Sequence, residues 1–177
     1  MTIGLSTESP IMITVDVINL VMFLEYIMGI QCGWYLSDQV IYVNFYHRVT
    51  TEEFEAMNAK LSDMIASSWS DTVHIIQDES HIKSAPPNFG RLLRESVIAR
   101  GEVNGWVLTI GKHREHSVMK FISMTFARIG KTRHERFHHL AEAEAYLEAV
   151  DPTIDLYEAR RHHLEMTIIP DLEAHAS

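Results

Sequence analysis

Three polar residues, Ser37-Asp38-Gln39, separate two runs rich in Val, Ile, Tyr, Phe and Trp, namely Trp34 to Leu36 and Val40 to Tyr46. So short a link leaves room only for a tight turn, and the two runs must pair as an antiparallel hairpin. Downstream the constraint changes. Each later apolar run is separated from the next by a helical pattern, and strands joined through helices pair in parallel because parallel neighbours need a crossover. The chain therefore reads as α/β, with a mixed, mostly parallel central sheet, an N-terminal antiparallel hairpin and helices on both faces.

The helices can be placed one by one. In Thr50-Thr51-Glu52-Glu53, Thr50 can cap a helix while Glu53 reaches back to its backbone N–H, the reciprocal pattern of a capping box. Phe54, Met57, Leu61, Met64 and Ile65 then recur at the spacing of one helical face, until Ser67, Ser68 and Ser70 end it. Thr72 to Gln77 is a short strand, with Asp78 at its carboxyl end. Ser84 stands before Pro86-Pro87, residues suited to a helix's first turn, and Phe89, Leu92, Leu93 and Val97 mark a second helix that stops at Gly101. Trp106 to Ile110 gives the next strand, and Val118 to Ile129 a third helix closed by Gly130. Arg133 to Phe137 is a last, more polar strand, expected as a solvated edge. Leu140, Ala143, Leu147 and Val150 supply a final helix that Asp151-Pro152 terminates. Glu142 and Glu144, like Glu52 and Glu53, stand near helix starts, where carboxylates favour the macrodipole.

Residues 33–155 thus form the α/β domain. Residues 1–32 read as an apolar N-terminal extension, and residues 156–177 as a helix over Tyr157 to Met166 with a loosely held tail. The stretch Ile11 to Ile30 is nearly long enough to cross a bilayer, but it carries Asp16, Asn19 and Glu25 and has no flanking Lys or Arg. Membrane contact through residues 11–30 is disfavoured; a strand followed by a buried or partner-facing helix fits better.

Charge and cysteine content narrow the function. With 24 acidic against 15 basic residues the formal net charge is −9, a field that repels polyanions, so no nucleic-acid partner is expected. The single cysteine, Cys32, can form no intramolecular disulfide, and a cytoplasmic, reducing compartment fits it.

No catalytic pattern assembles in the sequence. Among the 11 histidines, His113 and His116 stand three apart, and His134 and His138 four apart. On a strand the latter spacing separates the side chains by about 13 Å, too far to share an ion. No metal ligand set and no other cofactor is assigned. Cys32 has no neighbouring base in sequence and reads as an inert thiol. Gly101, Gly105 and Gly111 are spaced as element boundaries, not as a phosphate loop. The expectation is a protein that is not an enzyme.

The order of these motifs resembles the STAS domains, whose type members are bacterial anti-sigma-factor antagonists. The likeness covers Gly33 to Asp155 and rests on the strand Val40 to Tyr46 running into Thr50-Thr51-Glu52-Glu53, the strand end Ile75-Ile76-Gln77-Asp78, the start Gly105-Trp106-Val107, and Leu140-Ala141-Glu142-Ala143-Glu144-Ala145-Tyr146-Leu147 before Asp151. The resemblance implies a phosphorylatable serine at the start of the second helix. Ser84 is the positional candidate, but it follows Lys83 and precedes Ala85-Pro86-Pro87, a departure from the family's pattern, and plain helix capping is the favoured role for it. The loop expected after the third strand, with Asp78, Glu79, Ser80 and His81, is the candidate partner surface together with Ser84 and Phe89, because ligands of open α/β sheets bind beyond the carboxyl ends of the strands.

The reading that follows is a non-catalytic regulatory or protein-interaction module resembling STAS-like domains, with an unidentified protein partner; a homo-oligomer is compatible with it. The alternative is a small-ligand or lipid carrier of the same fold, suggested by the apolar third helix with Phe121, Ile122, Met124 and Phe126. A metal-dependent enzyme stands third.

Overall fold

A computed structural model describes residues 29–111, 132–157, 159 and 167–169. In chain order the elements are β1 Ile30–Leu36, β2 Val40–Arg48, α1 Thr51–Ser67, β3 His74–Ser84, α2 Phe89–Glu95, α3 Val97–Arg100, β4 Trp106–Ile110, β5 Arg133–Phe137, α4 Leu140–Val150 and β6 Thr167–Ile169. The six strands form one sheet in the order β5-β4-β3-β2-β1-β6. β1 runs antiparallel to β2, and β2, β3, β4 and β5 are mutually parallel. This is the mixed sheet that the short Ser37-Asp38-Gln39 turn and the later crossovers require; Asp38 takes the left-handed conformation there, with φ 61°.

Alternation along the strands divides the core in two. Ile30, Ile41, Val43, Phe45, Ile75 and Val107 point to one face, where Phe54, Met57 and Leu61 of α1, Leu92 and Leu93 of α2, and Val97 and Ile98 of α3 cover them. Tyr35, Val40, Tyr42, Ile76, Leu108 and Ile110 point to the other, under Ala143 and Leu147 of α4 and the following Ile154 and Leu156. Each fully buried Ile or Leu of this kind contributes about 1.5–3 kcal/mol relative to exposure. The start of α1 is fastened as expected. Glu53 N–H donates to Thr50 Oγ1 at 3.2 Å and Thr50 N–H donates to Glu53 Oε2 at 2.9 Å. Glu53 Oε1 also accepts from Gly29 N–H at 3.0 Å, so one buried carboxylate holds both the helix and the lead-in to β1.

Several boundaries move from their expected places. β1 starts at Ile30 instead of Trp34, because Gln31 and Cys32 pair with Asn44 and Val43, so the sheet begins inside the stretch assigned to an extension. The tail does not run loose throughout: Thr167–Ile169 pairs antiparallel with Ile30–Cys32. β3 continues seven residues past Gln77 to Ser84, because β2 offers it a parallel partner that far. The expected second helix is broken in two at Ser96, whose backbone is extended, and Gly101 closes it with φ 75° as a left-handed cap. The expected helix over Val118 to Ile129, the histidines His113 and His116, and most of the segments 1–32 and 156–177 lie outside the described residues. Among the described residues no helix is long and apolar enough to cross a membrane.

Candidate functional site at the carboxyl end of β3

Strand register shows where the sheet changes character. The rows containing Trp34–Ile41–Ile75–Val107 and Tyr42–Ile76–Leu108 are apolar, as a sheet covered by helices should be. One step further along, the row facing α1 to α3 becomes Val43–Gln77–Thr109–Arg136. The next row, facing α4's side, becomes polar on β1 to β3 as Gln31–Asn44–Asp78 and continues apolar as Ile110–Phe137 on β4 and β5. Gln31, Asn44, Gln77 and Thr109 are all buried. Buried polar groups cost stability unless bonded, so a change of this kind on both faces at one end of the sheet marks a place kept for something other than stability.

On the α4 side the groups form a chain of three and a separate pair. Asn44 Nδ2 donates to Tyr46 Oη at 2.7 Å, Tyr46 Oη donates to Gln31 Oε1 at 3.2 Å, and Tyr42 Oη donates to Asp78 Oδ2 at 3.0 Å. Burial and the Asp78 carboxylate together push the Tyr42 phenol far above its ordinary range. Nearby, Tyr35 Oη donates to Glu144, which is buried instead of serving the helix start. Glu142 alone performs that service, accepting from the His138 and His139 N–H groups at 3.0 and 3.3 Å.

On the other side stands Glu79, whose side chain is 3% exposed, with Arg136 Nη2 donating to Glu79 Oε2 at 3.4 Å. Removal from water dominates over the attraction of Arg136, Asp78 repels further, and the Glu79 carboxyl is pushed up to about 8. β5 is the sheet's edge strand, with Arg133 and Glu135 exposed as expected of a solvated polar edge, but Arg136, 14% exposed, turns inward to the carboxyl. His134, on the same face of β5, lies 2.9 Å from Thr109 Oγ1. A cavity of about 10 Å³ lies beside Glu79 and Gln77, walled by Phe45, Phe54, Phe89 and Leu93. That is room for about one water, not for an apolar ligand.

Besides Glu79, the five other candidate residues are distributed unevenly over this ground. Asp78 is half-buried, and its Oδ1 accepts from Ser80 N–H at 2.8 Å. Here β3 bulges: two steps on β2, Asn44 to Tyr46, oppose three on β3, Asp78 to His81. The bulge turns Ser80 and His81 outward, and the exposed His81 ring stacks on Tyr46 at 5.9 Å and 12°. Asp78, Ser80 and His81 therefore lie together, on a paired strand instead of in the loop expected for them. Ser84 is the exposed last residue of β3, up to about 20 Å along the strand from Asp78. It caps no helix, because α2 begins at Phe89 with Asn88 at its N-cap; the serine that does cap is Ser96, whose Oγ accepts from Ala99 N–H at 3.3 Å. Phe89 is 6% exposed and packs edge-on against Phe54 at 5.3 Å, so it belongs to the core. Arg136, Tyr46 and Gln31 complete the site with Glu79 and were not singled out as its members; the inward face of a polar strand leaves little trace in sequence.

Two further groups bear on chemistry. Cys32 is buried and its thiol is pushed up to about 11 by burial, with the Lys60 cation pulling weakly the other way. His74 Nδ1 accepts from Trp106 N–H at 3.1 Å, which leaves Nε2 to carry the hydrogen toward Asp151 Oδ2 at 3.1 Å. Both ring nitrogens are thus occupied. Among the described residues no three His, Cys, Asp or Glu side chains converge to hold an ion.

A mixed sheet led by a hairpin, continued by parallel strands and clothed by helices on both faces, is the architecture of the SpoIIAA-like, or STAS, fold. Two solved structures carry the comparison. One is an uncharacterised protein of the DUF3478 family with a SpoIIAA-like fold from Shewanella loihica PV-4, matched at TM-score 0.54 and 15% identity over 68% of this chain and 94% of that one. The other is the anti-sigma factor antagonist SpoIIAA in its unphosphorylated form, at TM-score 0.51 and 14% identity over 72% of this chain and all of that one. No protein-family model and no curated protein matches the sequence.

Proposed function

We propose that this chain is a non-catalytic regulatory module, cytoplasmic, that docks a protein partner at the carboxyl end of β3. The observation that carries this reading is the bulge that holds Ser80 and His81 in water on a root of buried polar groups, Asn44, Gln77 and Glu79. A strand end fixed in this way offers a preorganised surface, which lowers the ordering cost of binding. The fold shared with an anti-sigma factor antagonist is compatible with such a role. Ser84 sits five residues before α2 and lacks the helix start that the resemblance associates with a phosphorylated serine, so recognition is assigned to Ser80, His81 and Tyr46 in its place.

The test is quantitative capture of partners from native cells on immobilised wild-type and variant chains. His81→Ala and Ser80→Asp should each lower recovery of a partner held by wild type while leaving the melting curve unchanged, and Ser84→Asp should not. Equal recovery by all four proteins would remove the site from consideration. A retained lipid or other apolar molecule in native mass spectrometry would favour the carrier reading.

A further inference from the structure

At the opposite end of the strands, and independent of the site above, one side chain stands out against its surroundings. Trp69, between α1 and β3, is 93% exposed. A single exposed apolar residue is ordinary on a protein surface. What sets this one apart is the loop that carries it, which is tied down on both sides. Ser68 Oγ donates to the Asp38 carbonyl at 2.7 Å, Ser70 N–H donates to Ser68 Oγ at 3.0 Å, and Ser70 Oγ donates to the Thr72 carbonyl at 2.8 Å. Asn104 continues the fastening by accepting from Val73 N–H at 3.0 Å and donating to the Asp71 carbonyl. The indole is therefore held out in water by a bonded backbone.

The residues that follow Trp69 border a hollow of about 310 Å³, lined by Gln39, Ser70, Asp71, Thr72, Asp151 and Thr153 together with the buried His74 and Ile154. Three of these residues belong to the Trp69 loop. The hollow has two carboxylates and no Lys or Arg in its lining. Asp151 is internally committed, since its Oδ1 accepts from Thr153 and its Oδ2 from His74. Asp71 is exposed and makes no ion pair among the described residues. Arg133 acts on His74 from the β5 side but does not line the hollow.

We propose that this end of the molecule docks an arginine-bearing segment of a partner protein, with the guanidinium stacked on Trp69 and donating to the Asp71 carboxylate inside the hollow. A planar cation suits the pair of surfaces because it can lie flat on an indole and present several N–H donors in one plane to a carboxylate. The chain's net charge of −9 draws such a segment in. A neutral polyol could stack on the indole and donate hydroxyls to the free Asp71 carboxylate but would gain no attraction between opposite charges, and a polyanion is repelled by the carboxylates.

The experiment titrates full-length protein with a blocked Arg-Gly-Arg peptide and, separately, with the same peptide carrying citrulline in place of arginine, which keeps size and planarity but removes the charge and exchanges one NH2 donor for a carbonyl. Binding is read by two-dimensional amide NMR and by tryptophan fluorescence. The arginine peptide should perturb the amides of Ser68 to Thr72, the citrulline peptide should not, and added salt should weaken the complex. Trp69→Ala should weaken it about fivefold on the scale of a cation–π contact. Asp71→Asn should do so with an unchanged melting temperature, as expected for an exposed side chain. Failure of the arginine peptide to bind, equal binding of the citrulline peptide, or full affinity in both variants would overturn the proposal. So would salt-independent binding of a neutral oligosaccharide at the same amides. None of these outcomes depends on the fate of Ser80 or His81.

Discussion

The two ends of β3 each bury an ionisable group, and they handle it in opposite ways. At the amino end His74, 2% exposed, gives one ring nitrogen to the Trp106 N–H and the other to Asp151, so its neutral form is fully bonded. At the carboxyl end Glu79 faces Arg136 at 3.4 Å, yet burial outweighs that attraction and its proton is held to about pH 8. The first arrangement is closed, with no bonding capacity left for a partner on the ring. The second is one residue away from an exposed, bulged surface. Buried polarity is thus structural where every group is matched and becomes a candidate for function where the match is incomplete and water is near.

The contrast predicts opposite pH dependences, and Glu79 supplies the larger. Its folded pKa lies above the unfolded value of 4.5, so the folded chain binds the proton more tightly. Stability from this group is then complete below about pH 4.5 and is lost as pH rises toward 8. A shift of that size corresponds to roughly 3–5 kcal/mol. Denaturant titrations of wild type and Glu79→Gln at several pH values should diverge by that amount between pH 5 and pH 8, with wild type losing stability relative to the variant. Parallel curves would mean that Arg136 holds the carboxylate ionised throughout, and the distinction between the two ends would collapse.

His74 should slope the other way and less steeply. Burial lowers its pKa while Asp151 raises it, and the first effect prevails. The unfolded ring therefore takes up a proton more readily, and this contribution is present above the unfolded value of 6.5 and is lost as pH falls below it. His74→Gln, which can still accept from Trp106 N–H and donate to Asp151, should flatten the acid side of the stability profile and leave the alkaline side as it was. An unchanged acid limb would show that the ring is protonated in the fold.

How much of this was legible in sequence depends on which physical signal each residue leaves. The hairpin, the Thr50–Glu53 capping box, the helices that follow β2, β3 and β5 and the Gly101 stop are local, and all of them stand in the structure. The continuation of β3 is not local. Asp78 to Ser84 lacks an apolar run, and only pairing of Tyr46, His47 and Arg48 with His81, Ile82 and Ser84 keeps it extended. The lone apolar Ile82, 5% exposed, was its one trace. Glu79 and Arg136 are 57 positions apart in the chain, and nothing in either neighbourhood announces that the two side chains meet. Likewise the serines around Trp69 suggested only a helix end, because their fastening to Asp38 and Asn104 depends on the folded sheet.

Rigidity at the amino end can be tested by a glycine. A Cβ at Gly105 would lie 3.0 Å from the His74 backbone nitrogen and closer still to the Val73 carbonyl, both backbone atoms that cannot swing aside. Gly105→Ala should therefore cost about 1–3 kcal/mol, as overpacking does, in thermal or denaturant unfolding. It should also loosen the His74–Trp106 bond and raise amide exchange at Val73 to Ile76. A neutral outcome would show that the closed end can yield, and would weaken its contrast with the bulged one.

The smallest effects separate two serines. Ser96 caps α3, its Oγ accepting from Ala99 N–H at 3.3 Å while donating to the Leu93 carbonyl at 2.8 Å, and it is 3% exposed. Ser96→Ala removes both bonds and should cost about 1 kcal/mol, the usual loss for an N-cap. Ser84 is exposed at a strand end, and what it contributes is a backbone carbonyl that accepts from Val49 N–H at 3.0 Å, a bond that any side chain leaves intact. Ser84→Ala should therefore stay within about 0.5 kcal/mol of wild type. Should the order reverse, with Ser84 the costlier of the two, the serine before Pro86-Pro87 would be capping a helix in solution, β3 would end sooner than Ser84, and the exposed surface at its carboxyl end would have to be redrawn.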